Sequence, residues 1–407
     1  MSYQWRIALL IACAITISYF DRQTLSIAVT AIQRDIPISN TSFSQLQAAF
    51  LVAYAFMYAL GGKLIDRLGT RTGFLLIMVW WSLACASHGL ALNFGMLVVS
   101  RLLLGMGEGG GFPAATRAVH EWFQPNERSF AMGIMNAGTA LGAVIAPPGI
   151  AVVLAYSNWR WVFFLSGVIG LLWAMWWWRE YRPPLASAAA ESAQIPWAHL
   201  LRYREVSGLM LAKFLSDAAW YFYLFWLPKY LYDVRGFDIK QVGYSAWVPY
   251  AASGVGALLA GWFSGWLLRR HHSLDFSRKL ALGLCALVMP SILLVSHVSA
   301  PVAIALFSLA FFGQQGWSTL VMVLPADLFP GSVVGAVAGL VGFGGAMGGV
   351  VFGFVVAYLL DHGFGYSVVF ACVSTFHILA FLVILFTVRN VRTLTANPQA
   401  SLLYENH

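Results

Sequence analysis

The chain has 407 residues, of which 60% are apolar and only 10% charged, with 29 Phe, 17 Trp and 16 Tyr. Such usage lies far from that of soluble domains and excludes a water-soluble globular fold. The formal net charge of +8 does not point to nucleic acid, because the basic residues fall between apolar runs rather than along one amphipathic face.

Apolar runs of about 18 residues or more, long enough to cross roughly 30 Å of hydrocarbon as helices, recur along the whole chain. The first predicted helix, near 6–32, follows a short polar start with no small-residue cleavage site behind it, so it is expected to be retained; it carries Tyr19, Asp21 and Arg22. The second, 44–65, carries Tyr54, and the third, 73–91, carries His88. The fourth, 94–116, holds Arg101, Glu108 and a glycine run from Gly105 to Gly111. The fifth, 130–156, holds Asn136, and the sixth, 161–178, ends in Trp176-Trp177-Trp178 beside Arg179, a pattern suited to a membrane interface. A polar stretch, 179–205, contains Pro183-Pro184 and an Ala/Ser-rich run and reads as a linker. Six more helices follow near 208–232, 241–268, 279–297, 301–325, 333–360 and 366–388. Among them the seventh holds Lys213, Asp217 and Tyr223, the tenth Trp317 and Ser318, the eleventh a glycine-rich stretch and the twelfth His377.

The expected fold is therefore an all-α membrane protein of twelve transmembrane helices in two six-helix halves. The halves are 1–178 and 206–407, the second ending in a short tail, and 179–205 joins them on the cytoplasmic side. Sixteen of the 24 Lys and Arg fall in loops of one side and five on the other, which places both termini in the cytoplasm, since basic residues resist translocation. Gly62-Lys63-Leu64-Ile65-Asp66-Arg67 after the second helix is echoed by Gly265-Trp266-Leu267-Leu268-Arg269-Arg270 after the eighth, as two related halves would require. Cys13, Cys85, Cys285 and Cys372 all lie in apolar runs without metal-type spacing, so neither disulfide nor metal is expected.

Charges inside apolar helices carry the functional reading. A charged side chain in hydrocarbon costs on the order of 2.5–3.5 kcal/mol on insertion scales, and it normally faces a cavity or a partner. Asp21 and Arg22 are neighbours about 100° apart around the helix axis, while Arg101 and Glu108 are two turns apart on one face. Buried ion pairs that only lock helices together stabilise less than apolar packing. Two arginine forks at membrane depth suit a carboxylate ligand, and Asp21 and Glu108 are expected to titrate as their surroundings change. Tyr19, three residues before Arg22, can set a hydroxyl beside the guanidinium. Asn136, Tyr223, Trp317 and Ser318 are further candidates, because amides, hydroxyls and indoles bind sugar hydroxyls and ring faces. Lys213 and Asp217, four apart, are expected to neutralise each other. Gly105-Met106-Gly107-Glu108-Gly109-Gly110 matches a nucleotide-binding fingerprint in letters only, since no strand precedes it, and its glycines are expected to allow close helix approach.

Gly62-x-x-x-Asp66-Arg67-x-Gly69-x-Arg71 resembles the loop signature of the major facilitator superfamily. Tyr19-Phe20-Asp21-Arg22, Arg101 through Gly111-Phe112-Pro113, Trp122-x-x-Pro125-x-Glu127-Arg128 and Phe225 through Leu231 resemble its anion:cation symporter branch, most of all hexuronate and galactonate transporters. The resemblance implies uptake of a sugar acid or other organic anion by proton symport with alternating access, with Asp21 and Glu108 coupling protons and Tyr54 touching substrate. Asp66, Arg67, Arg71, Glu127 and Arg128, with Asp327, sit at the cytoplasmic ends and are expected to hold the inward mouth shut. In the second-half echo Arg269 stands where the signature has Asp, a departure that removes a charge relay there.

The expected setting is the cell (inner) membrane, multi-pass and monomeric, with a small organic anion, protons and the bilayer as partners and with no cofactor, metal or nucleic acid. A membrane-embedded enzyme is disfavoured, because no HExxH motif or Ser/His/Asp set is present. An anion/anion exchanger, or a carrier of a smaller carboxylate on the same fold, remains open, since Gly138, Gly142 and Pro147 partly echo an antiporter pattern.

Overall fold

A computed structural model describes residues 2–38, 40–184, 196–237 and 239–393, and all regular structure in them is helical. The helices are α1 (Tyr3–Ile32), α2 (Asn40–Leu68), α3 (Thr70–Ser87), α4 (Phe94–Glu108), α5 (Gly111–Trp122), α6 (Pro125–Tyr156) and α7 (Trp159–Glu180). They continue as α8 (Trp197–Leu200), α9 (Arg204–Asp233), α10 (Ile239–Arg269), α11 (Leu274–Val288), α12 (Ala300–Leu328), α13 (Gly331–Asp361) and α14 (Gly365–Thr387). Among the described residues, nine helical stretches are long and apolar enough to cross a membrane. Their outward surfaces are apolar as well: Phe56, Leu83, Phe354 and Phe386 all face out. A protein in water does not leave so much large apolar surface uncovered, whereas a bilayer covers it.

Local chemistry sets the ends of several helices. Asn93, Asn158 and Ser273 accept the first free backbone N–H groups of α4, α7 and α11, which supplies partners those donors lack inside the helix. Two expectations of continuous helix are corrected. The run near 94–116 is broken at Gly109-Gly110, where Gly109 lies so close to α2 that a Cβ on it would come within 2.6 Å of the Tyr54 carbonyl oxygen; helix-poor residues pressed against a neighbouring backbone give way to a turn. The run near 279–297 tightens into a 3-10 helix over Met289–His297, beginning where Pro290 lacks a donor. Of the linker expectation, 179–205, the stretch 185–195 lies outside the described residues, as does the tail over 394–407.

The chain divides into two compact units, and the division passes through α6 and α13. The first unit contains Met1–Trp122, Gly138–Gln194 and Gly331–Leu340. Its interior has an aromatic stack, with Trp173 and Trp177 centroids 5.4 Å apart and Phe74 within 5.2 Å of both. The second unit contains Phe123–Ala137, Ile195–Pro330 and Val341–His407. There Tyr230 packs on Phe307 and Phe370, at 5.8 and 5.1 Å, and joins α9 to α12 and α14.

Candidate functional site

In the first unit, α1 and α4 bring the four embedded charges together. Gly105 lets α4 lie directly on α2, because a Cβ there would overlap the Phe50 carbonyl oxygen and stand 3.0 Å from the Tyr54 nitrogen. That approach sets Arg101 and Glu108 beside Phe50 and Tyr54. Glu108 is 1% exposed, and its Oε2 accepts from Arg22 Nε at 2.7 Å and from Ser18 Oγ at 2.7 Å. Its Oε1 has no hydrogen-bond partner among the described residues. The Arg22 guanidinium lies over three rings, with its carbon 4.4 Å from the centroid of Tyr54, 4.8 Å from Tyr19 and 5.4 Å from Phe50. These faces are electron-rich and stabilise a cation out of water.

Asp21 looks elsewhere. It is 1% exposed, and its Oδ1 accepts from Ser166 Oγ of α7 at 2.5 Å and its Oδ2 from Trp81 Nε1 of α3 at 2.9 Å. The two carboxylates expected to act alike are therefore held differently, one by an arginine and one by neutral donors. Arg101 is the outlier of the group. It is fully buried, 0% exposed, and Nε and both terminal nitrogens lack hydrogen-bond partners among the described residues. The Phe50 ring, 5.9 Å away, offers it a face. A buried guanidinium with five unmet donors is costly, so this arrangement suits a site whose anion arrives from solution.

The remaining candidates lie in the second unit. Asn136 is buried and its amide donates to Thr319 Oγ1 at 3.0 Å. The Tyr223 hydroxyl and the Trp317 indole N–H are buried without hydrogen-bond partners among the described residues, Tyr223 beside Phe311 at 5.7 Å and Trp317 beside His377 at 5.5 Å. Ser318, next in sequence to Trp317, faces α9 instead and accepts from Lys213 Nζ at 3.0 Å.

Three of the end-of-helix candidates bind backbone. Asp66 accepts from the N–H groups of Gly335 at 3.0 Å and Ala336 at 2.6 Å and pairs with Arg117 at 2.9 Å. Arg71 donates to the Trp178 carbonyl at 2.7 Å and lies over its ring. Arg128 donates to the carbonyls of Phe123 and Ala326 and to Asp327. Arg67 is exposed, and Glu127 is half-buried.

Sequence reasoning missed Phe50, Ser18, Trp81 and Ser166. Two of these had a signal: Phe50 is four residues before Tyr54 and Ser18 four before Arg22, each on the face of a named candidate. It also missed Arg117 and Glu121, an i, i+4 pair, and Arg278, which are cations and acids of the loop margins that fold inward.

Comparison with known proteins settles the family. The profile of the Major Facilitator Superfamily matches residues 11–353. The chain belongs to the Major Facilitator Superfamily. A hexuronate transporter of Escherichia coli K12 is 30% identical, with 95% of this chain and 94% of that protein covered. A D-galactonate transporter of Escherichia coli O6:H1 is 28% identical, over 94% and 95% respectively. A crystal structure of the E. coli fucose:proton symporter superposes with a TM-score of 0.75 at 17% identity, over 95% of this chain and 99% of that one, which fixes the shared superfamily fold. The relatives are sugar-acid transporters, the group the motifs resemble. This superfamily chain is a multi-pass membrane protein and not an enzyme.

Proposed function

We propose that this protein takes up an organic anion, a sugar acid such as a hexuronate or aldonate, by proton symport. It would work by alternating access of two six-helix halves, 1–178 and 206–407, joined by 179–205. Both termini face the cytoplasm in this reading, and the protein acts as a monomer in the inner membrane. The observation that carries it is Arg101, a guanidinium removed from water and left without a protein acceptor among the described residues. A carboxylate is the ligand that such a fork binds best.

Charge explains the coupling. With both acids ionised, Asp21, Glu108, Arg22 and Arg101 sum to zero. One bound carboxylate makes this buried group of charges negative, and one proton restores neutrality, which favours their joint binding in a poorly polarisable interior. Protonation of Glu108 is the step that serves binding, because neutralising it releases Arg22 as a second grip, whereas Asp21 has no arginine partner among the described residues to release. Conformational change then needs only that the loaded, neutral carrier prefers the other state.

Proteoliposome uptake of glucuronate or galactonate tests this. Arg101→Gln should lower uptake about thirtyfold or more, since losing one partner of a buried charge pair costs about 2–5 kcal/mol. Glu108→Gln should abolish accumulation driven by a pH gradient and leave counterflow of the same anion in place. Undiminished proton-driven accumulation in Glu108→Gln would sink the coupling assignment. Uptake that requires an anion on the far side and brings no proton with it would establish an exchanger instead.

A further inference from the structure

In the first unit the grips Arg22 and Arg101 have a polar neighbour that the preceding reading does not use. Gln47 of α2 donates from its side-chain amide to Ser26 Oγ of α1 at 3.0 Å. Ser26 is one turn beyond Arg22, about 40° away around the axis and about 6 Å along it. Gln47 is seven residues before Tyr54 and about 20° from it around α2. The helices α2 and α4 run in step, since a Cβ on Gly105 would meet the Phe50 carbonyl and one on Gly109 the Tyr54 carbonyl. Arg101, one turn before Gly105, therefore stands near the level of Gln47, and the guanidiniums of Arg22 and Arg101 lie 5.4 and 5.9 Å from the same Phe50 ring.

The face that carries this pair is open, and it is not the face turned to lipid. Ser26 is exposed and Gln47 half-buried, and the Arg22 side chain is 16% exposed. The outward stripe of α2 is apolar, with Val52, Phe56 and Leu60 exposed. Gln47 lies about 140° around the helix from Val52 and about 180° from Phe56. On α1 the outward residues are Leu9 and Cys13, and Ser26 lies about 100° and 140° from them. Both helices thus expose apolar side chains on one side and the Gln47–Ser26 pair with Arg22 on another.

A neutral hydrogen bond that water can reach adds little to stability, so holding α1 to α2 is a weak account of the pair. It has hydrogen-bonding capacity to spare. The Gln47 carbonyl oxygen, its second amide hydrogen and the Ser26 hydroxyl proton suit a ligand hydroxyl, which both donates and accepts. We propose that Gln47 and Ser26 read a hydroxyl of the anion held by Arg22 and Arg101, so that the site selects hydroxy acids over acids lacking a hydroxyl at that place. The inference rests on the anion-binding reading given above and deepens it to substrate class. When no hydroxyl is offered the pair closes on itself and leaves no polar group bare, so the preference is that of one neutral hydrogen bond, about three- to tenfold.

Dissociation constants of galacturonate and of its 2-, 3- and 4-deoxy analogues, obtained from ligand-dependent shifts of the unfolding midpoint of the purified protein, test it. At least one analogue should bind the unaltered protein about three- to tenfold more weakly than galacturonate. In Gln47→Leu and in Ser26→Ala, galacturonate should weaken to the level of that analogue, whose own affinity stays as it was. Ser26→Thr keeps the hydroxyl and should keep the preference. Ser26 is exposed, so its replacement leaves folding intact, which the midpoint without ligand checks. Equal binding of galacturonate and all three analogues overturns the inference, as does a preference that survives both Gln47→Leu and Ser26→Ala. Loss of affinity for galacturonate and every analogue alike also overturns it, because that marks a mere tie between helices. Failure of the parent reading is seen separately, as galacturonate that binds the unaltered protein no better than Arg101→Gln, and the inference then falls with it.

Discussion

Two seams in this molecule do the same packing work with opposite charge. In the first unit the start of α13 sits on the end of α2, so closely that a Cβ on Gly62 would overlap the Gly335 carbonyl oxygen. Asp66 receives the two backbone N–H groups there, and one cation, Arg117, stands between two acids, Asp66 and Glu121, at 2.9 and 3.0 Å. In the second unit the start of α6 sits on α10, where a Cβ on Gly265 would come within 2.5 Å of the Asn126 carbonyl oxygen. Here one acid, Asp327, stands between two cations, Arg128 at 3.2 Å and Arg278 at 2.8 Å, and Arg278 donates to the Pro125 carbonyl at 2.6 Å. The first seam bonds N–H groups with a carboxylate and the second bonds carbonyls with guanidiniums. Arg269, in the place where the signature has an acid, thus marks a seam whose polarity is reversed rather than one that is missing.

The largest way to break this comparison is Arg278→Gln. Arg278 is 0% exposed and bonds Asp327, Ser264 and Pro125, so the change leaves a buried acid short of a partner and should cost about 3–5 kcal/mol. A fall in unfolding midpoint in detergent checks it, and a fall no larger than that of an exposed arginine change such as Arg67→Gln would remove the second seam from the argument. Asp66→Asn is gentler. It keeps shape and some acceptance but halves the acceptor set, at about 1–3 kcal/mol, and amide exchange at Gly335 and Ala336 should speed up while exchange in α10 does not.

The difference between the seams also explains what was legible in the sequence. Helix positions followed from apolar length, and the four embedded charges stood out because hydrocarbon makes a charge conspicuous. Of the first seam Gly62 and Asp66 could be read, because they belong to a motif of ten residues, whereas Arg117 and Glu121 could not. Of the second, Arg128 and Asp327 stood out at helix ends, but Arg278 looks like any basic residue at a loop margin. The same limit hid the Asp21 partners, since Trp81 and Ser166 are apolar-helix residues with nothing local to mark them. It also hid the bond from Lys213 to Ser318, over a hundred residues away, whereas the pairing of Lys213 with Asp217, four residues on, was legible.

Restoring the signature acid sharpens the comparison further. Arg269→Asp places a carboxylate where the second seam presents carbonyls, so no N–H group is there to meet it. Because Arg269 is exposed, stability should change by no more than about 0.5 kcal/mol. A gain of a kilocalorie or more, or relief of the Arg278→Gln defect by the added acid, would show that the seam is a damaged copy of the first.

The smallest expected effect comes from an acid network outside both seams. Asp35, in the turn after α1, accepts from Trp159 Nε1 at 2.9 Å and pairs with Arg160 at 2.8 Å, and these bonds hold its carboxyl below the usual range. A carboxyl whose affinity for protons falls on folding adds stability above its unfolded value, about 3.9, and loses that stability as pH falls through the lower folded value. The side chain is about half exposed, 49%, so solvent screens the pair. Asp35→Asn should therefore leave the unfolding midpoint at pH 7 almost unchanged and slightly flatten its decline below pH 4, with the slope more evident at low salt. A loss at pH 7 as large as that of Asp66→Asn would mean that burial is not what separates the seams from an ordinary surface bridge, and the contrast drawn between them would have to rest on charge sign alone.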